Sequence, residues 1–241
     1  KANPDSIPNF KGPDTPEFPM IADRKYINTN YMFMNDNLLD LSHVAYVHRN
    51  SFGKGDDESN RAFAELAPKT TILENGVKVE RWAKGKSAIP PYVAELLPAG
   101  EYEHYSWYDF IAPGFFLLNT RTYPAGYIDK YGDDLVNQES VFSEFSCQAV
   151  TPIDEDNICY YFALGADSRF SQLKQMYNEL GHLAFGEDSL MLEAQYKIVK
   201  QNPDQKLMNL AMDASVVSFR AMMDKMMKVE ATPSYNLSQQ V

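Results

Sequence analysis

Three turn signals, each set between two strand-like runs, constrain this chain more than any other feature. "KTTILENGVKVERWA" breaks at Asn75-Gly76, the strongest short hairpin signal. "YSWYDFIAPGFFLLNTRTYP" breaks at Pro113-Gly114, and "ESVFSEFSCQAVTPIDEDNICYYFALG" breaks over Asp154 to Asn157. Successive pairs of this kind predict one sizeable antiparallel sheet. Residues 21–29 are expected to add a short strand. The sheet block is flanked by helical patterns. "NTNYMFMNDNLLDLSHVAYVH" carries Leu38, Leu39, Leu41, Val44 and Val47 at helical spacing, with Asn35 or Asp36 as a cap. "SQLKQMYNELGHLAFGEDSLMLEAQYKIVK" reads as a long helix, with a break expected at Gly181 or Gly186 and a stop at Pro203. "MNLAMDASVVSFRAMMDKMMKVE" reads as a final amphipathic helix whose methionine stripe is core. Strands in one block with helices at both ends predict an α+β fold, a large antiparallel β-sheet covered by helices in the manner of a helix-grip domain.

The sequence divides into three. Residues 1–20 are rich in Pro, Asp and Asn and read as an extended linker; 21–232 form one domain; 233–241 form an extended tail. Arg49 to Asn60 reads as loop. At 44% hydrophobic and 13% aromatic, the chain has ample material for a core. Its net charge of -11 disfavours nucleic acid as a partner. No apolar run reaches the roughly 18 residues of a membrane span, and no secretory h-region is read in the opening residues. Cys147 and Cys159, the two cysteines, are expected to face each other across a hairpin as reduced thiols of a cytoplasmic protein, without a chemical role.

Chemistry concentrates in "DNLLDLSHVAYVH". Two of the four histidines, His43 and His48, lie five apart, with Asp40 three before the first. Burying three polar side chains in an apolar helix costs several kcal/mol unless each is paired, and metal ligation is one way to pair them. Asp40 and His43 share a helical face. His43 and His48 are about 140° apart on a regular helix, so they converge on one ion only if the helix ends or distorts near Val47. A carboxylate must come from elsewhere, and "AFGEDSLMLEAQ" offers Glu187, Asp188 and Glu193. Two imidazoles and one carboxylate on one face of an ion, with other positions open, form the ligand pattern of non-haem iron(II) oxygenases.

These residues carry a resemblance. "DNLLDLSHVAYVH" resembles the iron-binding motif of Rieske non-haem iron oxygenases, in the branch containing vanillate O-demethylase and dicamba monooxygenase, with Asn37, Asp40, His43 and His48 in place. "FGEDSLMLEAQ" resembles the second motif of that branch, "MDASVVSFRAMMDKMM" its C-terminal helix, and "NPDSIPNF" the linker that leaves its Rieske domain. The resemblance implies that Asp188 is the third iron ligand and that Asp40 bridges electrons from a Rieske cluster. It implies a homotrimer, mononuclear Fe(2+), a [2Fe-2S] cluster, and NAD(P)H acting through a ferredoxin or reductase partner. It implies O2-dependent O-demethylation of a substituted aromatic, with N-demethylation or ring hydroxylation as rivals. The cluster needs two Cys and two His, closely paired, and this chain has no such set. The cluster is therefore expected on a domain outside this chain. Asn37, His104, Trp107 and Gln148 are expected to line the substrate pocket, with Arg81 and Arg121 as possible carboxylate clamps. A non-catalytic helix-grip binding module and a zinc hydrolase are the competing classes; metal analysis separates them.

Overall fold

The computed structural model describes residues 11–52, 65–84, 93, 95–204 and 208–231. Seven strands form one antiparallel sheet: β1 (Asp23–Ile27), β2 (Lys69–Leu73), β3 (Gly76–Ala83), β4 (Tyr102–Ile111), β5 (Phe115–Pro124), β6 (Phe142–Pro152) and β7 (Ile158–Ala166). The order across the sheet is β1-β7-β6-β5-β4-β3-β2, so β2 to β7 run as a meander and β1 closes the far edge against β7. All three expected hairpins form. Gly76 has a reason beyond the turn: a Cβ there would sit 1.9 Å from the Phe110 carbonyl oxygen on β4.

Five α-helices complete the described residues: α1 (Tyr31–Leu39), α2 (Val44–Val47), α3 (Tyr127–Tyr131), α4 (Lys174–Gln201) and α5 (Ala214–Ala231). Alternation along each strand assigns its side chains to two faces. On the inner face, Val77, Val79, Tyr108, Phe110, Phe116, Tyr160 and Phe162 meet Met34, Leu38 and Leu39 of α1, Tyr177, Phe185 and Leu192 of α4, and Phe219 and Met223 of α5. On the outer face, α3 and the residues after it pack Tyr127, Tyr131 and Leu135 on Tyr105, Tyr123, Trp82 and Trp107. Phe18 and Met20 cover Phe145, Cys147 and Ala163 on that same face. Phe18 to Met20, at the end of the expected linker, thus lie against the sheet; residues 1–10 and 233–241 lie outside the described residues, as do 53–60 of the expected loop.

Several expectations are corrected. The helix before the histidines starts earlier than read: Asn30, whose side chain accepts from the Met32 N–H at 3.0 Å, is its cap, not Asn35 or Asp36. Asp36 instead pairs with Arg220 and ties α1 to α5. The α4 helix runs unbroken through Gly181 and Gly186. Gly181 serves close approach, since a Cβ there would lie 2.7 Å from Leu164 Cδ2. The last helix begins at Ala214 after a 3-10 turn, Ala211–Asp213. Cys147 pairs with Ala163 and Cys159 with Thr151, so the thiols are four ladder positions apart and do not face each other. Both are buried and free, and burial pushes the Cys147 thiol up to about 11.

Candidate metal centre

The segment after α1 is built from short pieces, and that is what brings the histidines together. The helix ends at Asp40, whose backbone is extended (φ -101, ψ 91). The Asp40 carboxylate accepts the Ser42 N–H at 2.9 Å and caps a 3-10 turn, Leu41–His43. One short helix, Val44–Val47, follows, and the chain leaves it at His48. The regular helix that would hold the imidazoles apart is therefore interrupted twice, at Asp40 and after Val47. The two rings come to 5.1 Å between centroids, and their Nε2 atoms to 3.2 Å.

The other ring nitrogens define the tautomers. His43 Nδ1 donates to the Asp40 backbone carbonyl. His48 Nδ1 donates to Glu187 Oε2 at 3.0 Å, and the same oxygen accepts the Ser51 hydroxyl at 2.6 Å. With a proton on each Nδ1, a neutral imidazole presents a lone pair at Nε2. Burial lowers both histidine pKa values, which favours the neutral rings. Two lone pairs then point at one small volume.

A third donor faces them. Asp188, on α4 and 1% exposed, places Oδ1 3.5 Å from His43 Nε2 and 3.4 Å from His48 Nε2. Burial raises its pKa to about 6, opposed by His43 and by the nearby Asn37 amide. Asn37 is beside the carboxylate without completing a hydrogen bond: Asn37 Nδ2 and Asp188 Oδ1 are both buried and unpartnered. An orphaned carboxylate oxygen between two imidazole lone pairs is unfavourable for protein groups alone. It is the arrangement a cation needs. Donor separations of 3.2, 3.4 and 3.5 Å suit an ion about 2.0–2.2 Å from each atom.

The three carboxylates left open by composition have separate positions. Glu187 holds the back of His48. Glu193 accepts the Asn28 backbone N–H at 3.0 Å and the Asn28 side chain at 2.9 Å, anchoring the end of β1. Asp188 alone of the three joins His43 and His48, and these three form a group of potential metal ligands among the described residues.

Residues 27–229 match the vanillate O-demethylase oxygenase C-terminal domain. The chain belongs to that family. It is 28% identical over 232 residues to the toluene-4-sulfonate monooxygenase system iron-sulfur subunit TsaM1 of Comamonas testosteroni, covering 95% of this chain and 65% of that protein. It is 26% identical over 240 residues to the vanillate O-demethylase oxygenase subunit of Pseudomonas sp. (strain HR199 / DSM 7063), covering 95% and 64%. The chain thus spans a little under two thirds of these relatives. A crystal structure of dicamba monooxygenase bound to 3,6-dichlorosalicylic acid superposes with a TM-score of 0.75 at 19% identity, covering 96% of this chain and 66% of that one.

The remaining candidates in this vanillate O-demethylase-type domain fall on both faces of the sheet. His104, Arg81 and Gln148 are on the inner face, buried. Gln148 is tied into a network: its Oε1 accepts the hydroxyls of Tyr108 at 3.0 Å and Tyr160 at 2.8 Å, and its Nε2 donates one hydrogen to Ser146 at 2.7 Å. His104 Nε2 is 3.2 Å from the Thr122 hydroxyl, and burial lowers its pKa to about 4. Trp107 is corrected: it lies on the outer face, stacked on Tyr105 at 5.0 Å between centroids, and cannot line a pocket on the inner one. Parity alone carries this, because residues 104 and 107 on one strand cannot share a face. Arg121 is also outward, donating to the Val136 carbonyl at 2.6 Å. Sequence reading missed Tyr108 and Tyr160, whose signal was the same parity as His104 or the register to Gln148. It also missed Ser51, for which no pattern existed.

Proposed function

We propose that this chain is the catalytic portion of the oxygenase component of a Rieske-type monooxygenase. One iron(II) would be held by His43, His48 and Asp188. The carrying observation is the convergence of two neutral Nε2 lone pairs on an unpartnered, buried carboxylate oxygen. Iron(II) bound there would supply O2 activation. The chain's own residues do the rest. The Asp40 carbonyl and Glu187 fix the tautomers and orient the rings. Asn37 on α1, with His104 and Gln148 on the inner face of the sheet, would line the space that holds the substrate. Trp107 has no part in it.

Asp40 would serve as the electron bridge from the cluster. Its carboxylate already caps Ser42, so Asp40→Asn keeps the cap and the backbone carbonyl that holds His43 while removing the charge. That variant is expected to keep its iron and lose turnover; wild-type turnover would end the bridge assignment. We further propose a cytoplasmic homotrimer that receives electrons from NAD(P)H through a reductase and a [2Fe-2S] cluster. No described helix is long and apolar enough to cross a membrane.

The substrate reading is a substituted aromatic that undergoes O-demethylation. One oxygen atom of O2 enters a methyl C–H bond and the other leaves as water, with two electrons and two protons consumed. The resulting hemiacetal collapses to a phenol and formaldehyde. The relatives named for vanillate and toluene-4-sulfonate support a small aromatic substrate. Metal analysis and a product assay test the proposal. Expected are one iron per chain and, with a Rieske partner, reductase and NADH, formaldehyde from methoxybenzoates. Zinc in place of iron would indicate a hydrolase, and no metal a binding module. Formaldehyde only from N-methyl heterocycles, or hydroxylated rings without it, would move the reaction within the family.

A further inference from the structure

The inner face of the sheet changes character along its strands. Toward one end the rows across β3, β4 and β5 are apolar: Val77, Phe110 and Phe116, then Val79, Tyr108 and Leu118. The next two rows are polar: Arg81, Ser106 and Thr120, then Ala83, His104 and Thr122. Ser106 and Thr120 share a 3.3 Å hydroxyl contact, and His104 and Thr122 a 3.2 Å one. Each of those four residues is thereby partnered within the patch. Arg81 is the exception. It is 4% exposed, on the inner face, and it forms no hydrogen bond or ion pair with any described residue. Asp40 acts on it electrostatically, without a hydrogen bond or ion pair between them.

A guanidinium is always charged in a protein, and a buried charge without a partner is costly. The iron proposed at His43, which bonds the Asp40 carbonyl, would lie nearby, but a cation cannot compensate a cation. An anion can. The guanidinium offers a planar fork that fits a carboxylate or sulfonate through two parallel hydrogen bonds, and the hydroxyls of Ser106 and Thr120 lie next to it across the ladder.

We propose that Arg81 is a specificity-determining residue that receives an anionic substituent, carboxylate or sulfonate, of the aromatic substrate. The proposal rests on the oxygenase reading above and deepens it. Asp40 acts electrostatically on Arg81 and its backbone carbonyl holds His43, which puts the anion-binding patch on the same side of the sheet as the proposed metal ligands, so a ring held by its anionic group would present its opposite edge along the inner face.

Calorimetric titration with 4-methoxybenzoate and 4-methoxybenzamide, in metal-free and in iron-loaded protein, tests this. Wild type is expected to bind the carboxylate at least tenfold more tightly than the amide in both states. Arg81→Gln is expected to abolish that preference, with amide affinity, iron content and melting temperature unchanged. Arg81→Lys keeps the charge without the fork and is expected to fall between. Absent or unselective binding by wild type overturns the proposal, as does a preference that Arg81→Gln retains. A preference seen only with iron puts the anion on the metal and overturns it too. Equal weakening of both ligands with a lower melting temperature shows that Arg81 is structural. Lack of iron binding together with an Arg81-dependent preference would sink the oxygenase reading and leave the anion site standing.

Discussion

At the residue scale, neighbouring acids on one helix do different work because successive residues point about 100° apart. Asp188 faces the two Nε2 atoms; Glu187 reaches His48 from behind. Asp188→Asn preserves shape and removes the charge. It is expected to bring iron content close to zero by elemental analysis, and full iron in that variant would disprove the ligand set. Glu187→Gln leaves all three proposed ligand atoms and weakens the support of His48. Loss of such support costs about 10–100-fold in metal affinity, to be read by chelator competition. His104 makes a separate, pH-linked prediction. Its pKa is lowered to about 4 from the ordinary histidine value by burial. The unfolded chain then binds the extra proton first as pH falls, so stability is full above about 6.5 and declines from there toward 4. The decline reaches about 3 kcal/mol. Melting temperatures from pH 7 to 4.5 should fall more steeply in wild type than in His104→Gln.

At the element scale, the decisive feature is the break at Asp40. The helix-end carbonyl of Leu39 accepts the buried Ser215 hydroxyl of α5 at 3.2 Å, so the last helix braces the segment that carries the histidines. Ser215→Ala is expected to destabilise by about 1–2 kcal/mol in denaturant unfolding and to loosen iron binding as well. A variant that loses stability with unchanged iron affinity would show that the brace does not reach the site. Gly181→Ala drives a methyl into Leu164 and is expected to cost about 1–3 kcal/mol. These particulars mark the limit of what could be read beforehand. The hairpins were legible because Asn75-Gly76, Pro113-Gly114 and Asp154 to Asn157 are local turn chemistry. The need for a distortion near Val47 was legible from the roughly 140° separation, and a pairing of buried polar groups was legible from three of them in an apolar run. The true cap at Asn30, the unbroken α4 and the outward Trp107 were not. Asn35 and Asp36 look equally good as caps in isolation. Gly181 is dictated by Leu164 on β7, a contact that no local window contains. Trp107 is turned outward by strand parity, a signal that the sequence of β4 does contain.

At the scale of the whole molecule, the proposed iron site joins the two ends of the chain's order. The histidines precede six of the seven strands, and Asp188 follows all of them. This chain carries no closely paired Cys and His, so it is expected to show no Rieske absorption and no multiple turnover with a reductase alone. Sustained turnover by the isolated chain would reveal another electron route. The hydrogen bond from His48 to Glu187 spans 139 residues and closes that circuit with protein atoms only. The consequence is kinetic. A His48 ring held by Glu187 in the metal-free chain would need no slow ordering step on loading. Iron uptake should therefore rise linearly with iron concentration, without the plateau that a rate-limiting rearrangement imposes. Amide hydrogen exchange around residues 40–48 should slow only slightly once the ion is in. Breaking the latch with Glu187→Gln should make the plateau appear, turning an entry-limited process into one that waits for the chain to close.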